Sequence, residues 1–198
     1  MDTKEKILQA ARKEFIKKGF REASMRNIAS AVGISATALY RHYSCKEEIF
    51  EAVVSPAVRA WEKFADTESS RETETAREKG LDAMWNDNSQ TRHMVDLIYG
   101  DIDTQRLLFC SSEGTKYADF LSRIVDVVQE RTLEFVGELK KNGIAVKDFD
   151  PKEMHLILST QYSILLEIVR EEYTYEEALS HVATISEFFT QGDRKSVV

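Results

Sequence analysis

Ser24-Met25-Arg26-Asn27-Ile28-Ala29-Ser30-Ala31-Val32-Gly33-Ile34-Ser35-Ala36-Thr37-Ala38-Leu39-Tyr40-Arg41-His42-Tyr43 is the stretch on which the fold turns. Ser24 stands where a helix cap belongs, ahead of a short helix from Met25 to about Val32 whose buried side is Ile28, Ala29 and Val32. Gly33 suits the left-handed position that ends it. Ile34 and Ser35 open a third helix, Ser35 as its cap and Ile34 stapled to Leu39 across the cap. That helix is expected from Ala36 to Tyr43, with Leu39 and Tyr43 inward and Ala36, Thr37, Tyr40 and Arg41 outward. The four residues Ala31-Val32-Gly33-Ile34 between the two helices are the size of turn a helix-turn-helix requires. At 1.5 Å per residue, eight residues make a rod of about 12 Å, which fits a DNA major groove of about that width. Small residues at its start let the N-terminus and its free N–H groups approach phosphates.

The flanking sequence supplies helices in the same manner. Asp2 with Glu5 three residues on reads as a capping box, and Ile7, Leu8, Ala11 and Phe15 follow on one stripe. Gly19 suits a left-handed helix end, with Phe20 folding back on Phe15 in a Schellman closure. Ser44, with Glu47 as its reciprocal partner, caps a fourth helix carrying Ile49, Phe50, Val53 and Val54; Pro56 is expected to end or kink it, although Val58 and Trp61 keep the helical spacing. Thr67 to Lys79 reads as a polar loop leading into a solvated helix. Leu81, Met84 and Trp85 begin the next apolar face, and Asn86-Asp87-Asn88-Ser89 reads as a turn. Leu107 to Phe120 is broken near Gly114, Leu121 to Leu139 is a long helix ended by Asn142-Gly143, and Asp150-Pro151 opens another that runs to Val169. Tyr175 to Phe189 is the last helix, and Gly192 to Val198 is expected to fray.

Composition agrees with an all-α chain. Of 198 residues, 42% are hydrophobic and 31% charged, values of a folded protein. Two prolines and eight glycines are too few to punctuate an all-β sandwich or barrel. No run of about 18 apolar residues and no apolar signal core at Met1-Asp2-Thr3-Lys4-Glu5 are found, so a cytoplasmic protein is expected. Two cysteines, Cys45 and Cys110, supply neither a disulfide framework nor a four-ligand zinc site. Net charge is −7, yet residues 1–46 hold ten bases against four acids, a net of +6, and the rest carries −13. A basic module for a polyanion joined to an acidic body with other duties fits that asymmetry.

Residues 7–50 resemble the DNA-binding domain of the TetR-type transcriptional repressors. The resemblance rests on Ile7-Leu8-Gln9-Ala10-Ala11, Phe15, Gly19-Phe20, Ser24-Met25-Arg26-Asn27-Ile28-Ala29, Ala31-Val32-Gly33-Ile34-Ser35, Leu39-Tyr40-Arg41-His42-Tyr43 and Lys46-Glu47-Glu48-Ile49-Phe50. The chain departs from the family with Thr37 where glycine is common and Tyr43 where phenylalanine is usual. The resemblance implies a helix-turn-helix domain over 1–46 and a helical ligand-binding and dimerisation domain over 47–198. It implies a homodimer joined by the last two long helices, a near-palindromic double-stranded operator and release by a small-molecule effector. An activator, or a regulator without effector, stays open beside the repressor.

Residue by residue, the resemblance places Ser24 at a phosphate and Arg26 at a base edge or nearby phosphate. Ser35 caps the reading helix, and Ala36, Thr37 and Ala38 lie where operator sequence is read. Tyr40 and His42 donate to phosphates, Arg41 faces out beside them, and Lys46 brings a charge near the start of the fourth helix. A small-molecule pocket between helices is also expected. Its candidates are Trp61, Trp85, Met94, Tyr99 and Phe109. Tyr117, Phe120, Tyr162 and the isolated acid Glu167 complete them. No catalytic residue, cofactor or metal is expected: His93 with Asp96, Asp101 and Asp103, or Glu153 with His155, match no specific ligand pattern. An enzyme or ligand carrier with a helix-turn-helix appendage is the rival reading.

Overall fold

The computed structural model describes residues 2–79, 89–143, 148 and 150–197. Among them are nine helices and no strand: α1 (Thr3–Glu22), α2 (Met25–Val32), α3 (Ala36–Tyr40), α4 (Lys46–Lys79), α5 (Ser89–Gly100), α6 (Ile102–Cys110), α7 (Phe120–Lys141), α8 (Pro151–Arg170) and α9 (Tyr175–Val197). The expected all-α class holds. Leu81, Met84, Trp85 and the turn Asn86 to Asn88 lie outside the described residues.

The helix ends follow local chemistry. Asp2 accepts from the Glu5 N–H at 2.8 Å and Glu5 accepts from the Asp2 N–H at 2.9 Å, so two otherwise orphaned donors at the start of α1 are satisfied. Asp150 accepts from the Lys152 N–H at 2.8 Å, with Pro151 preset in the first turn of α8. Gly143, at φ +78°, ends α7.

Four expectations need correction. Gly19 has φ +69° and ψ 174°, an extended left-sided conformation that glycine alone tolerates, and not the left-handed helix-end geometry. No Schellman closure forms there: Phe20 stacks on Phe15 at 6.2 Å, but its N–H donates to the Ser111 carbonyl at 3.1 Å. Of the two outcomes expected at Pro56 the ending does not occur: α4 continues through it to Lys79, in keeping with the spacing of Val58 and Trp61. Proline leaves the carbonyl of Ala52 without its helical donor, and the Ser55 hydroxyl reaches that oxygen at 3.4 Å. Thr67 to Lys79 is helix, not loop; no glycine or proline lies between Pro56 and Gly80, and polar Glu, Arg and Lys are good helix formers. Gly192 does not fray α9, whose backbone is helical to Val197; one glycine costs only about 1 kcal/mol.

Two compact units result: Met1–Ala60 with Asp101–Phe120, and Trp61–Gly100 with Leu121–Val198. The core of the first is aromatic. Phe50 meets Phe15 at 5.1 Å and Phe20 at 5.2 Å, both edge to face, and Tyr117 lies 6.4 Å from Phe50. Such pairs add about 0.5–1.5 kcal/mol each beyond the area they bury. In the second unit Val95 of α5, Ile168 of α8 and Ala178 with Val182 of α9 form a buried cluster. The hydroxyl of Tyr99 donates to the Thr174 carbonyl at 3.2 Å, and that of Tyr175 to Asp96 at 2.6 Å, fastening the start of α9 to α5.

The two serine caps give a paired prediction. Ser35 accepts from the Ala38 N–H at 3.1 Å, whereas the Ser24 hydroxyl makes no cap hydrogen bond. Ser35→Ala is expected to cost about 1 kcal/mol and Ser24→Ala a few tenths. Urea unfolding followed by helical circular dichroism measures both, and equal losses would contradict the cap assignment.

Candidate nucleic-acid interface

The turn before α3 is fixed by backbone geometry. Gly33, at φ +77° and ψ 28°, donates to the Ser30 carbonyl at 3.1 Å, and Ile34 donates to Ala29 at 3.0 Å. These two bonds are the Schellman closure of α2. The next residue, Ser35, is extended at ψ 154° and caps α3. Regular helix then lasts five residues, so the rod is about 7.5 Å instead of the expected 12 Å. It stops because the chain tightens: the Leu39 carbonyl accepts from both His42 at 2.9 Å and Tyr43 at 3.1 Å. Ser44 then gives its N–H and its hydroxyl to one carboxylate at the start of α4. That carboxylate is Glu48, four residues on, and not the expected Glu47. Both Ser44 bonds hold the Glu48 carboxyl below the ordinary glutamate range.

Leu39 and Tyr43 are buried as expected, and they set which side of α3 faces out. Ser35, Thr37, Tyr40, Arg41 and His42 are exposed; Ala36 and Ala38 are half-buried beside them. Arg26 is exposed on α2 and Ser24 half-buried at its start. The exposed surface of α3 and of the turn after it therefore offers small side chains followed by hydroxyl, guanidinium and imidazole donors. Such a surface can hydrogen-bond phosphates and base edges.

Lys46 also has partners inside the protein. Its ammonium donates to the carbonyls of Arg21 at 2.9 Å and Ala23 at 3.1 Å, and lies 4.6 Å from the Phe20 ring centre. It thus caps the C-terminal end of α1, where carbonyls lack helical donors and a cation is favoured. Two of its three donors are used inside the protein. Glu14 is a second brace, one that no local sequence signal marks. Its carboxylate accepts from the Asn27 amide at 2.9 Å, the Ser24 N–H at 3.2 Å and Lys18 at 3.1 Å, tying α1 to α2. Burial raises its pKa, but the Asn27, Lys18 and Ser24 contacts outweigh it and hold the carboxyl below its ordinary value.

Residues 101–120 complete the unit and change its charge. Asp101 and Asp103 pair with Arg12, Glu113 with Arg21 at 2.9 Å, and Lys116 with Glu51. Residues 47–60 add three acids and one base, and residues 101–120 add four acids and two bases. The folded unit therefore carries a net of +2, where residues 1–46 alone carry +6.

Residues 7–53 match the family model described as bacterial regulatory proteins of the tetR family. This segment belongs to the TetR family. The HTH-type transcriptional regulator UidR of Escherichia coli K12 is 40% identical over 52 residues, 26% of each chain. The chain thus matches about a quarter of that curated relative's length. An HTH-type regulator in the lacX 3' region of Lactococcus lactis is 26% identical over 180 residues, 89% of each chain. Among solved structures, the fatty acid degradation regulator FadR of Bacillus halodurans has a TM-score of 0.61 at 18% identity, covering 95% of this chain and 98% of its own. NalD of Pseudomonas aeruginosa has a TM-score of 0.59 at 14% identity, covering 99% and 96%. The likeness in fold extends well beyond the TetR segment.

The pocket candidates fall in both units. Phe109, Tyr117 and Phe120 belong to the first unit, where Phe120 lies 5.8 Å from Phe109 and 6.4 Å from Tyr117. Trp61, Met94 and Tyr162 are buried in the second, with Tyr99 half-buried there. Glu167 is exposed and paired with Arg170 at 3.0 Å. Trp85 lies outside the described residues. The second unit instead buries an acid that sequence reading does not single out: Glu68, 4% exposed, accepts from Arg71 at 2.6 Å and contacts His93 Nδ1 at 3.0 Å. Among the described residues no three potential ligands cluster for a metal, and His155 Nδ1 faces Gln129 at 2.9 Å.

The Glu14 brace of the TetR-family segment carries a pH signature. A carboxylate whose folded pKa is depressed contributes stability above its unfolded pKa, about 4.3, and loses it as pH falls through the folded value. Glu14→Gln should therefore destabilise at pH 7, and its difference from the parent should shrink as pH drops below about 4. Chemical unfolding at a series of pH values tests this. A difference that does not change with pH would contradict it.

Proposed function

We propose that the chain is a DNA-binding transcriptional regulator, a repressor that acts as a homodimer on a near-palindromic operator. The observation that carries this is the presented face of α3: a Ser35-capped helix inside a TetR-family segment, anchored by Leu39 and Tyr43, with Thr37, Tyr40, Arg41 and His42 outward. Thr37 offers a methyl and a hydroxyl to base edges; Ser24, Arg26, Tyr40, Arg41 and His42 serve phosphates or neighbouring bases. Residues 1–46 are the reading domain and residues 47–198 the ligand-binding and dimerisation domain. No helix among the described residues is long and apolar enough to cross a membrane, in keeping with a cytoplasmic partner of DNA.

Dimerisation follows from the size of the face. One five-residue helix touches too few base pairs to specify a genomic site, so two are needed. Leu156, 66% exposed, and Ile157, 38% exposed, put apolar surface on the outside of α8, one of the last two long helices. A small-molecule effector acts by binding the arrangement that does not bind DNA more tightly. Helix α4 is the covalent route for that signal, because it is unbroken from Lys46 to Lys79.

Selection from a random duplex pool with the full chain should yield a symmetric site of two half-sites about one helical turn apart. Affinity should fall steeply with salt. Arg41→Ala should weaken binding on every sequence, and Thr37→Gly should change base preference at one or two positions. No retained duplex, or binding indifferent to salt, would contradict the proposal. Unchanged preference in Thr37→Gly would show that α3 does not read bases there.

A further inference from the structure

Ten basic residues lie in residues 1–46, and the fold commits four of them internally. Arg12 pairs with Asp101 and Asp103, Lys18 with Glu14, Arg21 with Glu113, and Lys46 serves the carbonyls of Arg21 and Ala23. Lys4, Lys6, Lys13, Lys17, Arg26 and Arg41 make no ion pair among the described residues. Arg26 and Arg41 belong to the helix-turn-helix itself. The other four lie on α1, and helix geometry separates them. At about 100° per residue, Lys6, Lys13 and Lys17 fall within roughly 40° of one another, about 180–220° around from Lys4. Lys4 itself falls on the side of the buried Ile7, Ala11 and Phe15, one turn before that stripe begins.

That position hangs Lys4 over the end of the helix-turn-helix. Its ammonium is 5.5 Å from the centre of the Tyr43 ring, and its charge also acts on the Glu48 carboxylate. Tyr43 directly follows Arg41 and His42 in the chain. It is 3% exposed, and its buried hydroxyl has no hydrogen-bond partner among the described residues. A ring face at 5.5 Å is a weak resting place for an ammonium, leaving its three N–H donors free to exchange water for a stronger anion. Of the uncommitted lysines on α1, Lys4 is the one that the structure holds beside the outward turn after α3.

We propose that Lys4 is a phosphate-contacting residue that α1 lends to the helix-turn-helix, extending the duplex footprint beyond residues 24–46. This rests on the DNA-binding function proposed above. The contact is a point charge on the backbone, so it adds affinity and salt dependence without base preference.

The test uses the full chain and a duplex selected by the unmodified protein. Binding is measured over a salt series for the parent, Lys4→Gln, Lys4→Arg and Lys13→Gln. Lys4→Gln keeps the stem over Tyr43 and removes the charge, and an unchanged thermal melt reports an intact fold. The slope of log affinity against log salt should become shallower by about 0.9 for each phosphate that Lys4 no longer neutralises, hence about 1.8 for a symmetric dimer. Lys4→Arg should restore the slope, Lys13→Gln should leave it near the parent's, and relative affinities for different duplexes should not change in Lys4→Gln. An unchanged slope in Lys4→Gln, or an equal change in Lys13→Gln, overturns the assignment while leaving the regulator in place. Failure of the unmodified protein to retain any duplex overturns both.

Discussion

A helix of five residues cannot hold itself. Nucleating one helical turn fixes several dihedrals for a single hydrogen bond, and isolated helices much shorter than about 12 residues are marginal in water. α3 exists because its neighbours impose it, and the first unit is organised around that demand. The Schellman bonds at Gly33 set its entry, the Ser35 hydroxyl satisfies an N-terminal donor, and Leu39 and Tyr43 sink into the core. Behind them the Phe15–Phe20–Phe50 cluster fixes α1 against α4. Glu14 and Lys46 fasten the ends of α1 and α2 to their surroundings through charge-assisted hydrogen bonds. The outward side of α3 is left with little structural duty, which is the condition for a surface that must meet something else.

Electrostatics narrows that surface further. The excess of base over acid in residues 1–46 suggests a broadly positive module, but folding brings Asp101, Asp103 and Glu113 onto Arg12 and Arg21. Exposed pairs of this kind contribute little to stability, about 0–1 kcal/mol each. Their larger effect is on where positive charge remains: at Arg26, Arg41 and Lys4 around the helix-turn-helix, and on the separate Lys6, Lys13 and Lys17 side of α1. A polyanion is then drawn to a place, not to the whole unit.

Local signals in the sequence are legible wherever one residue type can do one job. Gly33 before Ile34-Ser35, Asp2 with Glu5, Asp150 before Pro151 and the Leu39–Tyr43 spacing all appear in the structure where the sequence places them. What escapes is set by partners far along the chain. Nothing near Lys46 marks Arg21 and Ala23 as its acceptors, and nothing near Phe20 marks the distant Ser111 as the acceptor of its N–H. Glu68 resembles one more solvated acid in a polar run until α4 continues through it and His93 comes alongside. Pro56 does not end α4 because an exposed proline costs a helix one hydrogen bond, and Ser55 supplies a substitute to the same carbonyl. Side-chain type alone does not distinguish core from pocket, so aromatic residues of both units look alike as candidates.

The claim that a single presented face of α3 meets DNA is tested most directly by amide chemical-shift mapping. The isotope-labelled full chain is titrated with a selected duplex, and the displaced amides are located on the fold. The account predicts the largest displacements at Ser35 to His42 and at the Ser24 end of α2, with a smaller set in the first turn of α1. Displacements centred instead on the Lys6, Lys13 and Lys17 side of α1, or confined to residues 61–100 and 121–198, would contradict it.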